Sequence, residues 1–233
     1  MLAGKTALIT GACGGLGREI SFELAKKGCH LFLVGRDLEK LYVLHEDIKK
    51  EHDVSIESKS VDMTIDMEIG YLLSQAGQRI DILVNNAAIF PLKPIADSTN
   101  EDFDKCFAVN IRSPFILSRE LGRHMCERGW GRIINIGSSS AYNGSAETGV
   151  YCASKHALLG LSRSLYQEFK ESGVRVYSVS PGSIRTPMGR ADTRQDYSTF
   201  INPKEIAEYI SFIMSYENEM ISEEIRLNRM TIR

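Results

Sequence analysis

Tyr151 and Lys155 stand four residues apart in the stretch Tyr151-Cys152-Ala153-Ser154-Lys155. In a helix that spacing sets a phenol and an ammonium on one face, one turn apart. A free tyrosine, with a pKa near ~10, is a poor acid–base catalyst at neutral pH. A fixed positive charge beside it favours the phenolate and lowers that value. The pair is therefore a candidate proton donor and acceptor for a carbonyl or alcohol oxygen. Any long helix can carry such a pair on its solvent face, so its weight depends on what accompanies it.

A second cluster lies near the N-terminus, where Thr10-Gly11-Ala12-Cys13-Gly14-Gly15-Leu16-Gly17 follows the apolar run Thr6-Ala7-Leu8-Ile9. Glycines there let the amides of a strand-to-helix turn approach a pyrophosphate, and the helix dipole favours its charge. The spacing is Gly-x-x-x-Gly-x-Gly, and tight turns use glycine in any case. What points to a dinucleotide is the place of the turn, between the first strand and the first helix of an alternating chain. Cys13 lies in this turn, where helix amides would lower a thiol pKa and make it oxidation-sensitive.

The second strand ends at Gly35, followed by Arg36 and Asp37. An acidic residue here would bind the adenosine ribose hydroxyls of NAD, whereas a guanidinium suits the 2′-phosphate of NADP. Arg36 favours NADP, with NAD the second option. Asp37 either caps the next helix or turns towards the ribose.

These residues need a scaffold, and the hydrophobic pattern supplies one. Short apolar strands are predicted at 6–9, 31–34, 54–61, 82–84, 132–136, 174–179 and 224–227. Amphipathic helices are predicted over 15–27, 38–50, 66–78, 101–128, 150–171 and 203–215. Apolar strands alternating with helices mean a parallel sheet covered on both faces. The expectation is an α/β, doubly wound Rossmann fold with a seven-stranded parallel sheet. No repeat or linker divides the chain, so residues 1–233 read as one domain. Its cofactor half runs to about 130, and the catalytic and substrate half covers 131–233. The polar stretch 189–199 is long enough to act as a mobile lid.

The chain has 233 residues, 43% hydrophobic and 25% charged, an ordinary globular composition. With 28 Lys and Arg against 30 Asp and Glu, the formal charge of −2 carries no footprint for nucleic acid or an anionic membrane. The five cysteines are scattered without a Cys-x-x-Cys pair, which suits reduced thiols in the cytoplasm. No signal peptide and no run approaching the ~20 apolar residues of a membrane span are apparent. The histidines form no ligand spacing, so no metal site is expected.

Taken together, the motifs resemble the short-chain dehydrogenase/reductase superfamily in its compact form, from Lys5 to about residue 227. The resemblance implies a cofactor turn at Gly11, Gly14, Gly15, Leu16 and Gly17, with Arg36 on the adenosine ribose and Asp62 on the adenine. It lays the Asn85-Asn86-Ala87 backbone along the cofactor, with Ala88 where the family usually has glycine. It sets Pro181, Gly182, Ile184 and Thr186 around the nicotinamide. It implies a catalytic tetrad of Asn110, Ser138, Tyr151 and Lys155, with Ser138 standing 13 residues before Tyr151. In that scheme Tyr151 transfers the proton and Ser138 stabilises charge on the substrate oxygen. Lys155 lowers the Tyr151 pKa and binds the nicotinamide ribose, and Asn110 supports a relay water.

The implied activity is hydride transfer between NADP(H) and a carbonyl or secondary alcohol. Alternatives are a non-catalytic dinucleotide-binding regulator and a nucleotide-sugar epimerase or dehydratase. The latter usually needs a larger C-terminal domain than this chain has. Phe90, Ser138, Tyr142, Tyr151 and Met188 are the expected substrate contacts. The partner is a small molecule, without nucleic acid or membrane, in a homodimer or homotetramer. Relatives often end in a glycine-rich segment, where this chain has Ile225-Arg226-Leu227-Asn228-Arg229.

Overall fold

In the first strand, β1 (Thr6–Thr10), Ala7 and Ile9 join one buried layer and Leu8 joins the other. This alternation, repeated along the chain, is what a sheet packed on both faces requires. The computed structural model describes residues 2–231. Six further strands complete the sheet: β2 (His30–Gly35), β3 (Ile56–Ser60), β4 (Ile82–Asn85), β5 (Gly131–Ile136), β6 (Val174–Pro181) and β7 (Glu224–Leu227). Every pairing is parallel, in the order β3-β2-β1-β4-β5-β6-β7. The order reverses between β1 and β4, so a crevice opens at their carboxyl ends, where doubly wound sheets place ligands.

Helices α1 (Gly15–Lys26) and α2 (Leu38–Glu51) cover one face with the late helix α8 (Pro203–Met214). Their contributions include Ile20 and Leu24, then Leu44 and Ile48, then Ile206 and Ile210. The other face is covered by α3 (Asp66–Ala76), α5 (Ser113–Glu127) and α6 (Gly149–Phe169), through Ile69, Leu72, Leu117, Leu121 and Leu165. Among the described residues no helix is long and apolar enough to cross a membrane.

The helix predicted over 101–128 is broken. It forms α4 (Asn100–Phe107), a π turn over 108–112, and then α5. Pro114 has no N–H to return to the carbonyl of Asn110 four residues earlier, so a regular α-helix cannot continue there. Single π turns inside helices are frequent at functional sites, and this one carries Asn110. The stretch 189–199 is also more structured than a free lid. It begins inside a short helical turn, α7 (Pro187–Arg190), and a parallel bridge pairs Ile184 with Ile201 across it.

Candidate active site

Two cavities meet above the carboxyl ends of the central strands. The first, about 770 Å³, runs from the glycine turn past Arg36, Asp62 and Ala87 to Tyr151 and Lys155. The second, about 430 Å³, lies beyond Ser138 and is lined by Phe90, Pro181, Gly182, Met188 and Arg229, among others. Gly137, Tyr151, Ile184, Thr186 and Met188 line both.

The turn before α1 is shaped by close approaches. Gly11 has φ +62°, and a Cβ there would lie 2.9 Å from the Cα of Ala87. A Cβ on Gly17 would meet the Gly11 carbonyl oxygen at 2.2 Å. Gly17 is absent from the cavity wall, so its role is to let the helix close on the turn. Thr10 and Asn86 lock the two loops together. Thr10 Oγ1 accepts from the amides of Asn86 and Ala87, both at 3.0 Å, while Asn86 Nδ2 donates to the carbonyls of Thr10 and Gly11. No side chain caps α1, and no acidic residue stands in its first turn. Its N-terminal amides therefore face the cleft with their partial positive charge. The cradle fits a dinucleotide pyrophosphate on its shape and donors.

At the adenosine end, the Asp37 carboxylate accepts from the Lys40 amide at 3.1 Å and pairs with its Nζ at 2.9 Å. Of the two roles open to Asp37, it takes the helix cap. Arg36 lines the cleft beside it and makes no side-chain ion pair among the described residues. Asp62 lines the cleft too, its carboxylate accepting from the amide and hydroxyl of Thr64, each at 2.8 Å. Those bonds, the backbone amide first, hold its pKa below the usual value.

The expected chemistry of Cys13 is corrected. Burial first, then the nearby Asp37 carboxylate, push the Cys13 thiol up, outweighing Lys40 and Arg18. A raised pKa disfavours the thiolate that oxidation needs.

Tyr151 and Lys155 sit in α6, and both are buried. The Ser138 hydroxyl lies beside the Tyr151 phenol and opposes the rise in its pKa, and its Oγ accepts from the Ser140 amide at 3.1 Å. The Phe90 ring meets the Tyr151 ring edge-on, with ring centres 4.8 Å apart. Lys155 Nζ donates to the Ile136 carbonyl at 2.8 Å and lies 5.6 Å from the centre of the Tyr151 ring.

Here the structure departs from the simple pairing of charges. Burial pushes Tyr151 up to about 12, against the opposing hydrogen bond from Ser138. Burial likewise brings Lys155 down to about 8. With Lys155 brought down to about 8, its side chain is already neutral at the pH where the phenol would ionise, so it does not stabilise a phenolate there. At neutral pH the phenol is a protonated donor.

Asn110 is buried in the π turn. Its Oδ1 accepts from the Ile89 amide at 2.9 Å, and its Nδ2 donates to the Ile89 carbonyl at 3.0 Å and to Ser154 Oγ at 3.0 Å. Its side chain fixes the loop after β4 against α6, so it positions the cleft wall before it could support any relay.

The structure divides the other expected residues. Gly11, Gly14, Gly15, Leu16, Arg36, Asp62, Asn86, Ala87, Ile184 and Thr186 all line the first cleft. Pro181 and Gly182, expected on the cofactor, line the second cavity instead. Phe90, Ser138 and Met188, read from the sequence as substrate contacts, line the second cavity. Tyr142 does not: its hydroxyl donates to Glu224 at 2.8 Å and its ring stacks under Arg226 at 4.1 Å. Those partners lie on β7, so the ring turns outward. Sequence reasoning missed Arg194, Gln195 and Arg229, which line the second cavity. They come from the lid and the tail, where no motif marks them. Among the described residues no cluster of three metal-ligating side chains occurs.

Comparison with known proteins agrees with this geometry. Residues 5–197 match the short chain dehydrogenase family. The chain is 36% identical over 230 residues to the 3-oxoacyl-(acyl-carrier-protein) reductase FabG of Rickettsia bellii, covering 95% of this chain and 93% of that protein. It is 35% identical over 188 residues to the D-beta-hydroxybutyrate dehydrogenase of Rhizobium meliloti, covering 79% and 73%. A metagenomic short-chain oxidoreductase crystallised in complex with NADP superposes with a TM-score of 0.87 at 30% identity, covering 99% of each chain. The chain belongs to the short-chain dehydrogenase/reductase family and is an NAD(P)-dependent oxidoreductase of that family.

Proposed function

We propose that this protein transfers a hydride between NADP(H) and a carbonyl or secondary alcohol, with Tyr151 as the proton donor and acceptor. The observation that carries this reading is the place of Tyr151, whose side chain lines both the dinucleotide cleft and the smaller cavity. A substrate in the second cavity would present its oxygen to Tyr151 and Ser138 while its carbon faced the first.

The cofactor, when bound, carries the hydride. Within the protein, Ser138 and Tyr151 provide two hydroxyls at the point where negative charge develops on the substrate oxygen. The phenol, held up at about 12 by burial, remains protonated at neutral pH and donates to that oxygen as the carbonyl is reduced. Lys155 lines the dinucleotide cleft with one of its three N–H groups on the Ile136 carbonyl, leaving donors for a ribose hydroxyl. Phe90 packs edge-on against the Tyr151 ring and helps to hold it in place.

The preference for NADP rests on Arg36. Asp37, the acidic residue that would favour NAD, is taken up by Lys40, while the guanidinium of Arg36 remains available for a phosphate. The NADP-bound oxidoreductase of like fold supports the same choice.

The test is NADPH oxidation across a panel of ketones and oxo acids, comparing the protein with Tyr151→Phe. Losing the acid should lower kcat by about 10²- to 10⁴-fold without changing NADPH affinity. Equal turnover by both proteins would sink the assignment.

A further inference from the structure

Resting on that reading, we propose that the natural substrate is a small oxo acid or hydroxy acid, and that Arg229 binds its carboxylate. The second cavity is the relevant place. Ser138 and Tyr151 stand on its wall, and so do Asp192, Arg194, Gln195 and Arg229.

These polar groups form one network joining three segments. Arg194 from the lid makes a two-pronged pair with Asp192, Nε to Oδ1 at 2.7 Å and Nη2 to Oδ2 at 2.9 Å. Its Nη1 reaches Glu147 at 3.0 Å and the Ala146 carbonyl at 3.0 Å. Glu147 holds the one positive φ of a non-glycine residue among those described, 63°. That costs on the order of 1–3 kcal/mol and is sustained by this clamp. Both carboxylates near the cavity are thus turned onto Arg194.

Arg229 is different. Its Nη2 donates to Gln195 Oε1 at 2.7 Å and its Nη1 to Thr199 Oγ1 at 3.1 Å, and its guanidinium lies 5.2 Å from the Phe200 ring centre. All three partners are neutral. Among the described residues no carboxylate forms an ion pair with it. Gln195 is itself oriented, accepting from Ser183 Oγ at 2.9 Å and donating to Asp192 Oδ2 at 2.9 Å. Two of the five N–H donors of the guanidinium are used. A half-buried cation held in place by neutral groups, with donors to spare, is a built site for a planar anion.

The cavity volume, about 430 Å³, lies at the small end of ligand pockets. That favours a free oxo acid over a substrate carried on a long thioester arm. One end of such a molecule would meet Arg229 while its carbonyl met Tyr151 and Ser138.

The test compares acetoacetate and levulinate with their methyl esters, and with acetoacetyl-coenzyme A, using NADPH. The free acids should be favoured by about 10-fold or more in kcat/KM, the worth of one charge-assisted contact. Arg229→Gln should bring the acid-to-ester ratio near one by raising KM for the acids. Arg229→Lys should retain part of the preference. Calorimetric titration of acetoacetate and methyl acetoacetate into the Tyr151→Phe protein, with and without NADPH, reads binding without turnover. If no carbonyl is reduced but acetoacetate binds through Arg229, the redox reading fails and the anion site stands. Equal binding of acid and ester, equal weakening of both by Arg229→Gln, or an Arg229-dependent preference for acetoacetyl-coenzyme A would overturn the oxo-acid proposal.

Discussion

The two cavities are made of different materials. The dinucleotide cleft is built largely from backbone: the amides at the start of α1, the glycines that let them come close, and the Thr10–Asn86 lock between two loops. The smaller cavity is built from side chains on loops, with Arg194, Gln195 and Arg229 reaching in from segments distant in sequence. Backbone sites are fixed by conformation and recognise what many ligands share, such as a pyrophosphate. Side-chain sites can be rebuilt one residue at a time and recognise what distinguishes one ligand from another. A family that keeps its cofactor and changes its substrate needs that division.

The largest effect should come at the seam between the two regions. Lys155→Met should lower kcat by about 10²- to 10⁴-fold with NADPH and any accepted carbonyl. It also carries a signature that mere loss of packing would not give. The folded-state pKa of Lys155 is depressed, to about 8 from 10.5. Between those values the unfolded chain holds a proton that the folded protein has released, so stability rises with pH from about 8 towards 10.5. Tyr151 acts oppositely, its pKa raised to about 12 from 10.0, and reduces stability only above about pH 10. In urea denaturation of the cofactor-free protein between pH ~8 and ~10, the stability of the wild type relative to Lys155→Met should rise by an amount on the order of 2 kcal/mol, while the buried cysteines, whose pKa values are raised, lower the stability of both proteins alike over that range. An unchanged slope would show that the ammonium is not buried as described.

Next comes a test of the backbone-built region. Gly17→Ala should destabilise the fold by about 1–3 kcal/mol, because its Cβ has only 2.2 Å to the Gly11 carbonyl. It should also weaken both NADPH and NADH in fluorescence titration by displacing the amides. If stability and affinity were untouched, the tight closure of helix on turn would be dispensable.

The smallest effect should be the most selective. Arg36→Ala should weaken NADPH by about 10-fold, the worth of one charge-assisted contact, and leave NADH nearly unchanged. Equal weakening of both cofactors would assign Arg36 a structural role and dissolve the case for NADP.

How much of this was legible in the sequence follows from how far apart the interacting residues lie. The glycine turn, Arg36 and the Tyr151–Lys155 pair were readable because each belongs to one local element with a fixed geometry. The seven strands were readable from their apolar runs. The π turn at 108–112 was missed, although Pro114 stood four residues after Asn110 as its signal. Tyr142 was placed in the cavity by loop position alone. Its direction depends on Glu224 and Arg226, about eighty residues away.

The sequence by itself therefore determined the parallel sheet, the dinucleotide turn and the helical spacing of Tyr151 and Lys155 on which the proposed reaction rests, since local spacing and hydrophobic period suffice for these. Tertiary structure alone decided the electrostatics and the second cavity. Burial reversed the expected shift of Tyr151, because it disfavours the phenolate and also brings Lys155 down to about 8, so that no ammonium remains where the phenol would ionise. Folding also carried Arg229 from the tail to the same cavity as Ser138, an encounter that no spacing along the chain encodes.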